Sequence, residues 1–547
     1  MKGRIAQLLS PPLLFAAAVV LAVPFLLYVH RDIGPFQDEW EFILDHHGIS
    51  ADSLLSHLNG QVMATIAVIL TVVEELFSPA STWPLAVISV AAQVLVACMV
   101  WTYTRGKAND WYALAAGVLV LFLGAGWEIV VWSFNIGWKL GVAAGIGALV
   151  LFERRDDRLA TVLAALLLVF GIFSSGSAAP FIAALAVYAL WPETRRRALA
   201  TIAPAVILFG LWKLTYGAEF AGRRTFLTVP ETVYEVASHG FGGLFGAGPE
   251  LGAAIAVAAV IGLLIVFSRA QSIERSATVA LCLPLAFWMI LGLERSDYGF
   301  FHSRYMYSSI ILILLAGAHF VQYVRVTAPV KLAAAVLFAF AFVGQLQEMQ
   351  DGARYLRGGS SATLSFVSAL GMTDRADATS PDFSTEDKYQ FSDEYKRTRI
   401  YDWLGDRGSE FAVTAEEVAA GPAYQKDAVD AALVALSGYS LEGASEPREP
   451  GSELKVDAGA PPAVLEEDGC LSVPGGTDVV VSTPDNWIFI DSKAPVGVKP
   501  MRFAPAPVTE EKLEIPSGGH NFAMNAGKVE IPWRYQLSSL DSYRVCG

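Results

Sequence analysis

A chain of 547 residues, 54% hydrophobic and only 17% charged, with a mean hydropathy of +0.45, is no ordinary water-soluble enzyme, and lipid must be part of its solvent. The net charge of −14 leaves no expectation of a nucleic-acid partner, but it averages two unlike halves. Basic loops separate apolar stretches as far as Gly344, while acidic residues crowd the tail, the usual trace of positive-inside orientation plus an acidic exported domain.

The opening Met1-Lys2-Gly3-Arg4 and the apolar run behind it have the outline of a secretory signal. The run is long, however, and Tyr28-Val29-His30 is a poor cleavage site, so it reads as a retained first span. Eleven spans are expected, at about 12–30, 83–103, 111–126, 137–152, 158–174, 178–191, 198–216, 249–267, 276–293, 305–324 and 330–346. The basic loops 105–107, 154–158, 195–197, 269–275 and 325–331 all fall on one side if every second loop is cytoplasmic, and Lys2 and Arg4 agree. This predicts a multi-pass plasma-membrane protein with a cytoplasmic N-terminus and an extracytoplasmic C-terminal domain. Residues 61–77 are apolar enough to be counted as a span, but parity argues against a crossing. With Asn59 and Gly60 before it and Glu74 and Glu75 near its end, the segment suits an interfacial or re-entrant helix, a true span being the alternative.

The large outer loops are then 31–84, 217–249 and 294–304. His30, His46, His47, His57, His239, His302 and His520 all fall on the outer side, which is where chemistry is expected. The first loop carries Gln37-Asp38-Glu39-Trp40 just beyond the first span. A partly desolvated carboxylate there, flanked by Phe36 and Trp40, suits a general base toward a sugar hydroxyl or a ligand for a divalent cation, Mg or Mn. The equal competitor is an interfacial loop whose Trp marks depth. His46, His47 and His57 fit no closed zinc spacing, so a surface role outweighs a metal one.

Trp127, Glu128, Trp132 and Asn135 share a short outer loop whose aromatic planes suit sugar stacking, with a plain aromatic belt as the rival. In the loop before the tenth span, Arg304 stands between His302 and Tyr305, placed either to snorkel or to hold a lipid-linked phosphate. Lys213, Arg223 and Arg224 defy the positive-inside preference and are candidates to join it. Cys98 and Cys282 lie in apolar segments as small buried hydrophobes. Cys470 and Cys546, exported, are expected to pair in a disulfide contributing about 4 kcal/mol in the chain-entropy model.

The arrangement of Gln37-Asp38-Glu39-Trp40 after the first span, the helix near 61–77, the aromatic 127–138 loop and Ser303-Arg304-Tyr305 opening a late span resembles the GT-C superfamily of integral membrane glycosyltransferases, over roughly residues 1–345. The resemblance implies a polyprenyl-phosphate sugar donor, a cell-envelope glycan or lipid acceptor, transfer at the outer face and inversion at the anomeric carbon. It makes Asp38 the base, with Glu39 assisting or binding a metal, and Arg304 the group that neutralises the departing lipid phosphate. His302, Tyr305, Lys213, Arg223 and Arg224 join the donor side; Trp40, Trp127, Trp132, Asn135 and His57 join the sugar or acceptor side. The sequence departs where some members place a Glu-His pair, reading His57-Leu58-Asn59-Gly60-Gln61 instead, which leaves open whether that region serves a metal or the acceptor.

Beyond the membrane domain, 346–442 is expected to be mixed and helical, with a helix continuing from the membrane through 348–357 and Ala-rich helix over 414–436. Residues 443–462 read as a linker. From 463 onward, short β-prone runs at 478–482, 487–490 and 528–531 predict a small antiparallel β-sandwich, a carbohydrate binder or a stabilising cap. Two rival functions stay open: a transporter or flippase of lipid-linked saccharides, and a non-catalytic scaffold of envelope assembly.

Overall fold

The computed structural model describes residues 10–36, 38–45, 49–58, 61–77, 82–217, 229–269, 274–294, 302–323, 327–372, 413–448, 453–458, 463–506, 512–525, 527 and 529–547. The chain divides into two units, Met1–Ile33 with Asp45–Arg357 and Gly34–Leu44 with Gly358–Gly547.

Among the described residues, seven helices are long and apolar enough to cross a membrane: Pro11–His30, Trp83–Arg105, Ser133–Arg154, Pro192–Thr215, Pro249–Ser268, Arg275–Leu293 and Ala328–Ala369. A bent pair, Asp110–Leu121 with Gly124–Val131, makes an eighth, and three shorter apolar helices are Arg158–Ser174, Gly176–Leu190 and Ser303–Ala318. Each of the eleven expected segments thus carries a helix, and the chain is a polytopic membrane protein. Helices are what apolar segments must form in lipid, because every backbone polar group has to be satisfied within the segment. The last of them runs on without a break from Ala328 to Met372. Its 45 residues reach about 68 Å at 1.5 Å per residue, more than twice the hydrocarbon thickness.

The bend of 41° between Leu121 and Gly124 lies where a segment distant in sequence comes close. A Cβ on Gly124 would lie 1.8 Å from the backbone oxygen of Gln345, so two backbones meet there and only glycine fits. One N–H at the break, that of Ala125, is satisfied by a side chain that also serves the end of the helix Val229–Leu244. Ala125 N–H donates to Gln345 Oε1 at 2.8 Å and Gln345 Nε2 donates to the Gly243 carbonyl at 2.5 Å.

The basic loops are tied to one another at one end of this unit. Lys107 pairs with Glu153 at 2.7 Å and Arg275 with Glu193 at 3.1 Å, while Arg154 and Arg197 donate to the carbonyls of Thr102 and Phe152. That four of these loops converge is what the parity argument requires. The helix Ala64–Leu76 has 13 residues, about 20 Å, too short for the roughly 30 Å hydrocarbon layer. It buries Ile66, Ala67, Leu70, Thr71 and Val73 along one face, and Thr65 shares a hydrogen bond with Ser174 at 2.7 Å.

In the second unit the segment 34–44 is not part of the 1–345 membrane domain assigned to it from sequence. Phe36, Trp40, Phe42 and Ile43 are buried, and the Phe36 ring lies where a Cβ on Gly359 would fall, 2.2 Å away. Gly34 N–H donates to Ser360 Oγ at 3.2 Å. Further on, the Ala-rich helix is broken in two, Ala415–Ala420 and Ala423–Leu436, because Gly421-Pro422 interrupts it. Thr414 and Glu417 form a capping box on the first piece.

The C-terminal region holds β3 (Tyr439–Gly443), β4 (Lys455–Ala458), β5 (Val464–Leu465), β6 (Leu471–Val473), β7 (Val479–Ser482), β8 (Trp487–Ser492), β9 (Val496–Met501), β10 (Leu513–Ile515), β11 (Gly518–Met524), β12 (Arg534–Ser538) and β13 (Tyr543–Cys546), β1 (His57–Leu58) and β2 (Gln61–Val62) being a hairpin in the membrane unit. They form two antiparallel sheets in the orders β10-β9-β12-β7-β4 and β3-β11-β8-β13-β6-β5. Phe522 on β11 meets Tyr535 on β12 edge to face at 5.6 Å, and Tyr543 Oη on β13 donates to the Leu537 carbonyl at 3.1 Å, so the two sheets share a core. The expected disulfide joins Cys470 to Cys546 and is buried against Phe489. Two expectations change. β4 lies inside the stretch read as a linker, paired with β7. No strand covers 529–531, and β12 starts only at Arg534, since Pro532 has no N–H to give a ladder.

Candidate functional site

The helix Ser303–Ala318 begins after His302, whose backbone is extended and whose side chain makes no cap. Helix starts leave N–H groups without intrahelical acceptors. Here the acceptor comes from another segment: Glu128, on the five-residue helix Trp127–Val131. Its Oε2 accepts from Arg304 N–H at 2.8 Å and from Ser303 Oγ at 3.1 Å, and its own N–H donates to Ser303 Oγ at 2.9 Å. Its Oε1 faces Arg304 Nη2 at 3.4 Å and His302 Nδ1 at 3.8 Å. A carboxylate at a helix N-terminus is favoured by the helix dipole and by charge-assisted hydrogen bonds. The side-chain exposures run 10% for Glu128, 21% for Arg304 and 47% for His302. The acid is therefore the inner member, and the guanidinium and imidazole form the outer edge.

A helix of five residues does not stand by itself, and the Glu128 segment is fixed from several sides. Asn135 Nδ2 donates to the Glu128 carbonyl at 3.0 Å, and Lys139 Nζ donates to the Val130 carbonyl at 3.1 Å. A Cβ on Gly126 would fall 2.7 Å from Tyr307. Lys139 is fully buried and also donates to Ser89 Oγ at 2.5 Å and the Ser89 carbonyl at 3.3 Å. His30 completes this group. Its Nδ1 donates to the Leu26 carbonyl at 2.8 Å, so in the neutral ring Nε2, 3.3 Å from Ser89 Oγ, is an acceptor.

Asp38 and Glu39 open the helix Asp38–Asp45 in the second unit, where Glu39 N–H donates to the Phe36 carbonyl at 3.0 Å. Consecutive helical residues project about 100° apart. Asp38 is half-buried and Glu39 only 6% exposed, which leaves Asp38 the better placed of the two to meet a substrate. Among the described residues no group of three or more His, Cys, Asp or Glu is arranged to hold a metal ion.

The other expected residues divide. Trp40 is fully buried, its Nε1 donating to the Pro35 carbonyl at 3.1 Å, and Trp132 and Asn135 are buried as well. Their surfaces are covered by protein, so they serve the core rather than a sugar face. Trp127 is half-buried, edge-on to Tyr355 at 5.6 Å. Tyr305 is buried beneath His302, the rings edge to face at 6.1 Å. Lys213 lies in the last turn of the Pro192–Thr215 helix, with Nζ 5.9 Å from the Trp212 ring. The backbone of His57 pairs with Val62. Gln37, His46, His47, Arg223 and Arg224 lie outside the described residues.

Sequence reasoning missed the role of Glu128 and the buried Lys139. For Lys139 a signal was present, since an ionisable residue inside an apolar span is a functional candidate by default. Nothing local marks Glu128 as the partner of a residue 176 positions away.

No protein-family model and no curated protein matches the chain. Two solved structures are similar to it. One is ArnT from Cupriavidus metallidurans bound to undecaprenyl phosphate, at 12% identity and a TM-score of 0.44, covering 74% of this chain and 90% of that one. The other is the arabinosyltransferase EmbB from Mycobacterium smegmatis, at 11% identity and a TM-score of 0.36, covering 97% of this chain and 64% of that one.

Proposed function

We propose that the chain is a membrane glycosyltransferase that moves a sugar from a polyprenyl-phosphate donor to a cell-envelope glycan or glycolipid at the outer face. The observation that carries this reading is that Arg304 and His302 both face Glu128 at the start of the apolar helix Ser303–Ala318, an edge suited to a phosphate. A guanidinium there neutralises charge that develops on a leaving phosphate, and the effect is strongest where water is excluded. In this reading Asp38 takes the proton of the acceptor hydroxyl, whose oxygen attacks the anomeric carbon with inversion. The bond from that carbon to the phosphate oxygen breaks, and polyprenyl phosphate departs.

A transporter of lipid-linked saccharides would place ionisable groups near the bilayer midplane. Lys139 instead sits in the first turn of Ile136–Arg154, and Arg304 and His302 stand at a helix start. The reading is tested with purified full-length protein and a panel of radiolabelled polyprenyl-phosphate monosaccharides. Transfer of label into envelope acceptors by wild type and its loss in Asp38→Asn is the expected result. Undiminished transfer by the variant removes the base assignment, and no transfer from any donor by folded wild type removes the reading.

A further inference from the structure

We propose that Glu128 is the positioning residue of the Arg304 site: it holds the first turn of Ser303–Ala318 and the guanidinium together, so that Arg304 presents one fixed orientation to a phosphate-bearing ligand. The phosphate part of this statement rests on the reading above.

Three observations carry it. First, Glu128 and Ser303 bond reciprocally, the Glu128 N–H to Ser303 Oγ at 2.9 Å and Ser303 Oγ to Glu128 Oε2 at 3.1 Å. With the 2.8 Å bond from Arg304 N–H, this clamps the backbone from which the Arg304 side chain departs. Secondly, the other carboxylate oxygen, Oε1, faces the guanidinium at 3.4 Å, so one carboxylate restrains both the root and the tip of the same side chain. Thirdly, the backbone that carries Glu128 is anchored, by Asn135 at the Glu128 carbonyl and by Lys139 at the Val130 carbonyl, so Glu128 acts as the fixed member and Arg304 as the member being set. With Oε2 committed to two donors and Oε1 turned to the Arg304 guanidinium and the His302 ring, the carboxylate is occupied in holding rather than in taking a substrate proton.

A fixed guanidinium loses less side-chain freedom when a ligand binds, and that freedom is otherwise lost at the moment of binding. Glu128 also cancels much of the Arg304 charge, so orientation rather than bulk positive charge would set affinity. Removing the carboxylate is therefore expected to weaken phosphate binding, whereas a carboxylate that merely competed with the ligand would, once removed, strengthen it.

The test is a double-mutant cycle on the full-length protein in detergent, with undecaprenyl phosphate as probe and intrinsic fluorescence as readout. Glu128→Gln keeps the shape and one acceptor; its affinity is expected to fall about tenfold, to recover in part in Glu128→Asp, and to show no further loss when added to Arg304→Ala. Equal losses in the presence and absence of Arg304, or tighter binding by Glu128→Gln, overturn the proposal. A second measurement needs no ligand: the rate at which phenylglyoxal modifies Arg304, followed on its peptide by mass spectrometry. A rate raised severalfold by Glu128→Gln supports the restraint, and an unchanged rate overturns it. If wild type fails to bind undecaprenyl phosphate, the donor reading falls, while the modification rates still decide whether Glu128 holds Arg304.

Discussion

Gln345 shows how much a single side chain carries where water is absent. It is fully buried and satisfies two backbone groups at once, accepting from Ala125 N–H and donating to the Gly243 carbonyl. Leucine at 345 would leave both orphaned, and the expected cost is about 1–3 kcal/mol. The check is thermal unfolding in detergent, where an unchanged midpoint for Gln345→Leu would show that these bonds do not matter. Gly124→Ala should be at least as damaging, since the added Cβ meets backbone rather than a movable side chain. Arg304→Lys belongs to the same scale. A lysine offers a point charge without the planar fork, so it cannot face Glu128 and a phosphate in the same fixed geometry, and donor affinity should fall while the fold persists. Arg304 was legible in the sequence because a basic residue beside aromatics at a span boundary is conspicuous. Glu128 was not, because its role exists only once Ser303 and Arg304 lie against it.

The elements of the second unit depend on two ties that join parts distant in sequence. One is the Cys470–Cys546 disulfide, 76 residues apart, which fastens the terminal strand β13 beside β6. Reduction, or Cys470→Ser with Cys546→Ser, is expected to cost about 4 kcal/mol in the chain-entropy model. A denaturant titration followed by the fluorescence of Trp487 and Trp533 would show it, and an unmoved midpoint would mean that the strand pairing alone suffices. The other tie is Asp430, which accepts from the N–H groups of Arg502, Phe503 and Ala504 at 2.7 to 3.0 Å and so pins the helix Ala423–Leu436 to the segment after β9. Asp430→Ala leaves three donors without this acceptor and should destabilise by several kcal/mol, read in the same titration. The disulfide was legible because only two cysteines fall outside the apolar segments. The Asp430 anchor was not, because one acid among many in an acidic tail carries no mark.

At the scale of the molecule, orientation is open to direct test. Arg196 and Glu514 are both exposed, one in a basic loop and one on β10. An impermeant maleimide should label Glu514→Cys in right-side-out vesicles and Arg196→Cys only after permeabilisation; the opposite pattern would invert the topology. The sequence by itself determined where the apolar segments lie, that they are helices, that four of the basic loops come together and that a disulfide-linked β-sandwich follows. These properties depend on local composition and on the demand that lipid makes of any backbone, so each stretch announces its own state. Only the tertiary structure decided that the helix at 110–131 bends at Gly124, that residues 34–44 join the C-terminal unit, that Trp40 and Trp132 are core, and that Glu128 holds Arg304. Each of these depends on which distant atoms meet, and a choice among many distant partners leaves no trace in the local pattern of either one.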